Sequence, residues 1–63
     1  MTRFLIVSDS RRAYYKGDGE WTEDITKASV YTAAPELPEP NSRILELDSM
    51  ILAMIYKRKM NKQ

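Results

Sequence analysis

The sequence predicts a small α+β domain: an antiparallel sheet of three to four strands, one helical turn after the hairpin and a C-terminal helix packed on the sheet. Three observations predict this class: an apolar, β-branched run opens the chain, a Gly-Asp-Gly turn separates aromatic residues, and the C-terminal segment has helical spacing. We expect a single domain over residues 1–63. It divides into a strand and hairpin unit at 1–32, a proline-rich connection at 33–42, and a strand plus helix at 43–63.

The first strand is predicted at residues 3–8, where β-branched and aromatic side chains follow one another without helical spacing. The continuous apolar run from Phe4 to Val7 predicts a central strand covered on both faces, or on one face within a dimer. Asx and Ser side chains at 9–12 predict a turn. Residues 13–16 then predict a second strand, antiparallel to the first.

Both glycines of the chain, Gly17 and Gly19, flank one Asp. Glycine adopts positive φ without a Cβ clash, so this triplet predicts a tight reversal. Residues 22–28 predict a single helical turn, with Thr22 or Asp24 accepting from the free amides at its start. Residues 29–32 predict a third strand.

All three prolines lie within residues 33–42 and predict an extended surface connection. The PxxP spacing from Pro35 to Pro38 also fits a ligand for an aromatic groove, which is a common and weak pattern. Residues 43–48 predict a fourth strand, although they could instead begin the helix.

The C-terminal helix is predicted at residues 49–63, with Asp48 or Ser49 as its N-cap and cations in its last turns. We expect one face of the helix to be shared by a set of apolar residues and a lysine stem: Ile51, Leu52, Ile55 and Lys59. Met50, Met54 and Tyr56 widen the apolar surface beyond one stripe. In so small a domain, the additional surface predicts contact with another chain.

Composition argues against an enzyme. The chain contains no Cys and no His, which removes thiolate metal sites, the commonest metal ligand and the commonest general base. The acidic pairs at 18/20 and 23/24 fit a solvated turn and a helix N-terminus, and they lack the ligand spacing of an EF-hand loop. We therefore expect no catalytic residue, no cofactor and no metal site.

The function that we favour from the sequence is protein–protein contact, either with another protein or with a second copy in a homodimer. Methionine-rich apolar surfaces adapt to a partner, and the C-terminal helix supplies one. The residues predicted to bind the partner are Met50, Met54, Tyr56 and Met60.

Nucleic-acid binding is the alternative, because cations concentrate at both ends of the chain while eight acids lie in its middle. The residues that could neutralise phosphates are Arg11, Arg12, Lys57, Arg58, Lys59 and Lys62. The near-neutral net charge of +1 weighs against this alternative. A membrane-surface role for the C-terminal segment ranks third. No signal peptide is visible, and the chain is expected to be cytoplasmic.

Residues 14–31 carry the pattern Y-Y-x-G followed by W-T-x-D-[IL]-x-x-A-x-x-[YF]. This pattern resembles small uncharacterised phage and prophage proteins, and the resemblance covers about residues 3–32. It implies a core indole at Trp21, a helix cap at Asp24 and a close packing position at Ala28. It brings no activity and no catalytic residue. It implies a small accessory protein that modulates a host protein.

Overall fold

The computed structural model describes residues 1–61 and confirms the α+β class. Four strands form one antiparallel sheet in the order β3-β2-β1-β4, and a C-terminal helix packs on it. A 3-10 turn precedes the proline-rich connection. The elements are β1 (Thr2–Ser8), β2 (Ala13–Gly17), β3 (Glu20–Thr22), the 3-10 turn (Ile25–Lys27), β4 (Ser42–Asp48) and α1 (Ser49–Asn61).

Strand β1 is central, as its apolar run predicts. It pairs with β4 over its whole length, from Thr2 opposite Asp48 to Ser8 opposite Ser42. On its other side, β2 pairs only with the last two residues of β1. Where β2 diverges, Tyr31 takes its place: the Phe4 N–H donates to the Tyr31 carbonyl at 2.9 Å, and the Tyr31 N–H donates back at 2.8 Å. The first strand is therefore hydrogen-bonded on both sides.

Both faces of the sheet are covered. Leu5 and Ile6 are adjacent in β1 and point to opposite faces, yet their exposed fractions are 0% and 1%. On one face, Leu5 packs with Ile25 of the 3-10 turn and Leu52 of α1 to form the buried cluster. Partly buried residues surround this cluster: Tyr14, Ala28, Leu45, Leu47, Ile55 and Tyr56.

The second face carries Tyr15 and Trp21, which lie opposite each other on β2 and β3 and pack edge to face at 5.1 Å between ring centroids. The Arg11 guanidinium lies 5.1 Å from the centre of the Trp21 ring and binds both carboxylate oxygens of Glu39 at 3.1 Å. Glu39 belongs to the proline-rich connection, which is thereby held against this face. Trp21 is half-buried beneath Arg11, so the expected core indole is wrong: the buried cluster is aliphatic, and the aromatic residues packed against it are Tyr14 and Tyr56.

The β2–β3 hairpin confirms the reversal predicted from the glycines. Gly17, Asp18 and Gly19 have φ values of 101°, 54° and 78°, so three successive residues are left-handed. The Gly19 N–H donates to the Tyr15 hydroxyl at 3.0 Å and closes the turn. A side chain at either glycine would be strained because L-residues rarely adopt these φ values.

The third strand is β3 and not residues 29–32, where the prediction was wrong. The tight reversal returns Trp21 and Thr22 directly alongside β2, so the strand forms there. The later segment contributes the single bridge at Tyr31, while the Ser29 N–H donates to the Tyr15 carbonyl at 3.0 Å. High β-propensity was therefore not sufficient: the segment makes isolated contacts in the gap where β2 diverges from β1, at Ser29 and Tyr31, instead of a continuous ladder.

The helical turn predicted at 22–28 is a 3-10 turn over Ile25–Lys27, with Asp24 as its cap. The Asp24 carboxylate accepts from the Thr26 N–H at 3.0 Å and from the Thr26 hydroxyl at 2.7 Å. These hydrogen bonds, from the hydroxyl first, hold the pKa of Asp24 below its ordinary value, and the Lys59 and Lys27 charges add to the effect.

Candidate functional site

Helix α1 begins where β4 ends, because Asp48 caps it. The Asp48 carboxylate accepts from the Met50 N–H at 2.8 Å and lies 3.6 Å from the chain's N-terminal amine. The hydrogen bond and the amine charge hold the pKa of Asp48 below its ordinary value. Of the two predicted caps, Asp48 therefore performs the role. Residues 43–48 form the strand and do not begin the helix.

The side of α1 that meets the sheet differs from the predicted face at two residues, because Tyr56 takes the place expected for Ile51. Leu52 is buried in the cluster, and Ile55 and Tyr56 pack against it. Lys59 reaches the Asp24 carboxylate at 4.0 Å. Ile51, expected on this face, is 51% exposed instead. Successive helix residues are separated by about 100°, so Ile51 is turned to the flank when Leu52 faces the sheet.

The outward side of α1 carries a group of exposed apolar side chains. Met50 is 74% exposed, Ile51 51% and Met54 61%. Met54 follows Met50 by four residues and Ile51 by three, so it lies between them and joins the three side chains into one helix surface. We call Met50, Ile51 and Met54 the outer surface of α1. It is the largest group of exposed apolar residues on one element of the described chain.

A shallow groove of about 190 Å³ runs along one flank of this surface, lined by Ile51, Met54, Ile55 and Arg58. Its floor is apolar, and Arg58 supplies a cation at one end. Tyr56 and Lys59 are turned toward the 3-10 turn, so the groove lies on the opposite flank of α1. The residues that follow the 3-10 turn bind β2 and the β2 side of β1, through the Ser29–Tyr15 and Phe4–Tyr31 hydrogen bonds, so the turn lies toward β2 and the opposite flank of α1 lies toward β4.

The other two residues predicted for partner contact lie elsewhere. Tyr56 is half-buried against the core cluster, and burial together with the Asp24 charge raises the pKa of its hydroxyl. Met60 is 77% exposed, but it follows Met50 by ten residues and lies about 80° around the helix on the far side from Ile51. The structure thus brings Met50 and Met54 together and separates Met60 from them.

The cations proposed for nucleic-acid binding are partly committed to other contacts. Arg11 is held by Glu39 and Trp21. Its hydrogen bonds to the Glu39 carboxylate hold the pKa of Glu39 below its ordinary value. Lys59 is near Asp24. Within residues 1–61, Arg12, Lys57 and Arg58 take part in no ion pair. Lys62 lies outside the described residues.

Ion pairs join the basic ends of the chain to its acidic middle. The Arg11–Glu39 pair links the first turn to the proline-rich connection, and the Lys59–Asp24 pair links α1 to the 3-10 turn. Arg43 in turn binds both oxygens of Asp9, at 2.9 and 3.2 Å. The asymmetry seen along the sequence is therefore largely balanced in the folded chain, which weakens the case for a continuous basic surface.

A cleft that sequence reasoning missed lies beside the β1–β2 turn. It has a volume of about 370 Å³, an apolar floor from Val7, Tyr14 and Leu45, and a charged rim that includes Arg12 and Glu23. These residues come from three strands and two loops, and the sheet register brings them together. No local motif could have revealed this cleft from the sequence.

Among residues 1–61, every helix is too short or too polar to span a lipid bilayer. No protein-family model, curated protein or solved structure matches the chain.

Proposed function

We propose that this chain is a non-catalytic protein–protein interaction module that uses the outer surface of α1. The exposure of Met50, Ile51 and Met54 on one helix surface is the observation that supports this function. In a chain of 63 residues, apolar surface is needed for the core, so large apolar side chains left in solvent carry a cost in stability. Burial against a second protein removes that cost.

The geometry fits a helix that is received in an apolar groove of the other protein. The spacing of Met50, Met54 and Arg58 repeats every four residues, which is how helices present anchors to such grooves. Unbranched methionine side chains fill irregular pockets, so the contact tolerates variation in the partner's surface. Arg58 at the rim would meet a carboxylate on the other protein.

The resemblance of residues 14–31 to small phage and prophage proteins extends the proposal to the kind of partner. On this basis, the chain is an accessory protein whose partner is a host protein, and the contact takes place in the cytoplasm. The absence of Cys suits that reducing compartment.

The test is affinity capture from bacterial lysate with the tagged protein, with and without nuclease and at low and high salt. The proposal expects one protein at constant stoichiometry that survives nuclease and salt. Met54→Asp should abolish its capture, because a buried unpaired carboxylate opposes the contact. A folded Met54→Asp variant that retains every association would refute the use of this surface.

Met60→Asp is the matched control, since it introduces the same charge on the same helix outside the outer surface. The proposal expects this variant to capture the partner as well as the unmodified chain does. Equal losses in both variants would show that charge on α1, and not its outer surface, controls binding.

Nucleic-acid binding is a second candidate, supported by Lys57 and Arg58 near the end of α1, which take part in no ion pair with residues 1–61. Replacing Lys57, Arg58 and Lys59 by Gln should abolish binding to a nucleic acid, and affinity should fall steeply with salt. Capture of nucleic acid alone, lost at high salt, would favour this candidate over a protein partner.

A further inference from the structure

Strand β4 has a free edge. On one side it pairs with β1 along all seven of its residues, and within residues 1–61 no strand lies on its other side. Free edges are templates for further strand pairing, and natural proteins commonly shield them with a loop, a proline or a bulge. Residues 42–48 contain no proline, the pairing with β1 is free of bulges, and the charged side chains Arg43, Glu46 and Asp48 carry both signs, so they do not repel a second copy in every register. This edge is therefore competent to pair.

The hydrogen bonds of Phe4 identify which backbone groups of β4 point outward. Both main-chain groups of Phe4 bind Tyr31, so they point away from β4. Residues opposite each other in an antiparallel pair either exchange both hydrogen bonds or exchange neither. Glu46 lies opposite Phe4, so its N–H and C=O point to the free edge, and those of Ile44 do the same two residues earlier.

A second copy can pair with this edge about a two-fold axis perpendicular to the sheet. Residues that lie opposite each other in such a pair have their side chains on the same face of the sheet. The axis therefore passes beside one residue and not between two neighbouring residues. The central positions of β4 that could lie on the axis are Ile44, Leu45 and Glu46. An axis at Glu46 sets two like charges opposite each other, which is unfavourable. An axis at Ile44 requires the Ser42 N–H, which already donates to the Glu39 carbonyl at 3.2 Å.

An axis at Leu45 sets no like charges opposite each other, and it places Ser42, whose N–H is already occupied, only at the outermost pair, opposite Asp48 of the second copy. Ile44 then lies opposite Glu46 of the second copy, and Glu46 opposite Ile44 of the second copy. Each of these pairs exchanges two backbone hydrogen bonds through groups that point outward. The two Leu45 side chains face each other across the axis. The free edge is thus self-complementary in one register.

Helix α1 is placed to join this contact. It packs over β4 and β1, and its apolar groove lies on the β4 side. Strands are spaced by about 4.8 Å, so two helices centred between β1 and β4 of their own copies would lie about 10 Å apart across the axis. Helices pack at 8–10 Å, so the Ile51 and Ile55 flanks of the two copies would be in contact.

We propose that two copies of this chain form a symmetric dimer in which their β4 strands pair antiparallel about Leu45, joining the two sheets into one of eight strands. The two helices lie side by side on the same face of that sheet. Ile51 of the outer surface then lies at the dimer contact, whereas Met54 and Met50 lie farther around the helix from Ile55 and stay exposed for another protein. This proposal rests on the edge of β4 and is separable from the proposed function.

The first test compares the molar mass in solution of the unmodified chain with that of Glu46→Pro and Glu46→Thr. Glu46 is exposed and its N–H points outward, so proline removes no hydrogen bond within the monomer and is compatible with an edge strand. We expect dimers for the unmodified chain and for Glu46→Thr, and a folded monomer for Glu46→Pro. A monomeric unmodified chain, or a dimeric Glu46→Pro variant, would overturn the proposal.

The second test fixes the register with single cysteines, which is clean because the chain has none of its own. The two Leu45 Cα atoms would lie about 4.5 Å apart, within disulfide range, whereas the two Leu47 positions would be about 14 Å apart. We expect Leu45→Cys to form a cross-linked dimer on mild oxidation and Leu47→Cys to remain uncross-linked. Cross-linking of Leu47→Cys, or of neither variant, would overturn this register.

Lysate capture with Glu46→Pro separates the two proposals, since this change leaves every residue of α1 unaltered. If only the dimer is wrong, both proteins capture the same host protein. If only the host contact is wrong, the unmodified chain dimerises and captures no other protein.

Discussion

Arg12 has a φ of 53°, a left-handed conformation that costs a residue with a Cβ about 1–2 kcal/mol. The last position of the β1–β2 turn requires this conformation, and glycine would adopt it freely. We predict that Arg12→Gly stabilises the fold by about 0.5–1 kcal/mol, because relief of strain exceeds the added entropy of the unfolded chain. Urea unfolding measures the change. Arg12→Ala removes the same guanidinium but retains the Cβ, so its stability should match the original chain.

Asp24 makes the stability of the 3-10 turn depend on pH. The pKa of Asp24 is lowered in the folded chain, chiefly by hydrogen bonds from the Thr26 hydroxyl and N–H. Its contribution to the free energy of unfolding is therefore complete above the pKa that Asp24 has in the unfolded chain, and it is lost as the pH falls through the pKa of the folded chain. Asp24→Asn keeps an oxygen acceptor and removes the charge. We predict that the original chain is more stable than this variant at pH 7, and that the difference vanishes at acidic pH. Urea unfolding at both pH values tests this, and a difference that persists in acid would contradict it.

Helix α1 has one side that sustains the fold and one that does not. Leu52 is 6% exposed within the core cluster, so Leu52→Ala should destabilise the domain by about 2–5 kcal/mol. A core of this size supplies about 3–5 kcal/mol, so this variant would lose a large share of the free energy of unfolding. Met54→Ala should change stability by less than about 0.5 kcal/mol. Circular dichroism with urea unfolding compares the two, and similar losses would mean that Met54 is also a core residue.

Most elements could be predicted from local sequence because local rules govern them. The apolar run of β1, the turn at Gly17 and Gly19, and the capped start of α1 each act within a few residues. The third strand could not be predicted this way. Residues 29–32 have the composition of a strand, but how far they pair depends on the gap that opens where β2 diverges from β1, which is a feature of the tertiary fold.

The candidate site divides in the same manner. Met50 and Met54 follow from helical period once Leu52 faces the sheet, so a sequence pattern can find them. The position of Ile51 on the flank and the packing of Tyr56 on the core depend on the rotation of α1 over the sheet. The cleft beside Val7, Tyr14 and Leu45 depends on the register of three strands, which no single segment encodes.

At the scale of the whole molecule, the proposed dimer links stability to concentration. If unfolding also separates the copies, the thermal midpoint should rise by about 5 °C for each tenfold increase in protein concentration. Glu46→Pro should show a midpoint that does not change with concentration. Thermal scans over about a hundredfold range of protein concentration test this prediction. A midpoint of the original chain that stays constant over that range would contradict a dimer coupled to folding.

The pairing of β1 with β4 also determines the order in which the chain assembles. The two hairpin contacts of β2 close over a few residues, whereas β1 must wait for a segment that begins at Ser42, beyond the proline-rich connection. Loop-closure entropy makes that long-range step the slow one. Until β1 pairs with β4, the partly folded chain exposes an apolar strand with one unpaired edge, and such intermediates are prone to aggregate. The β1–β4 ladder therefore sets the kinetic vulnerability of this protein, and mutations that delay it should lower the soluble yield before they lower the equilibrium stability.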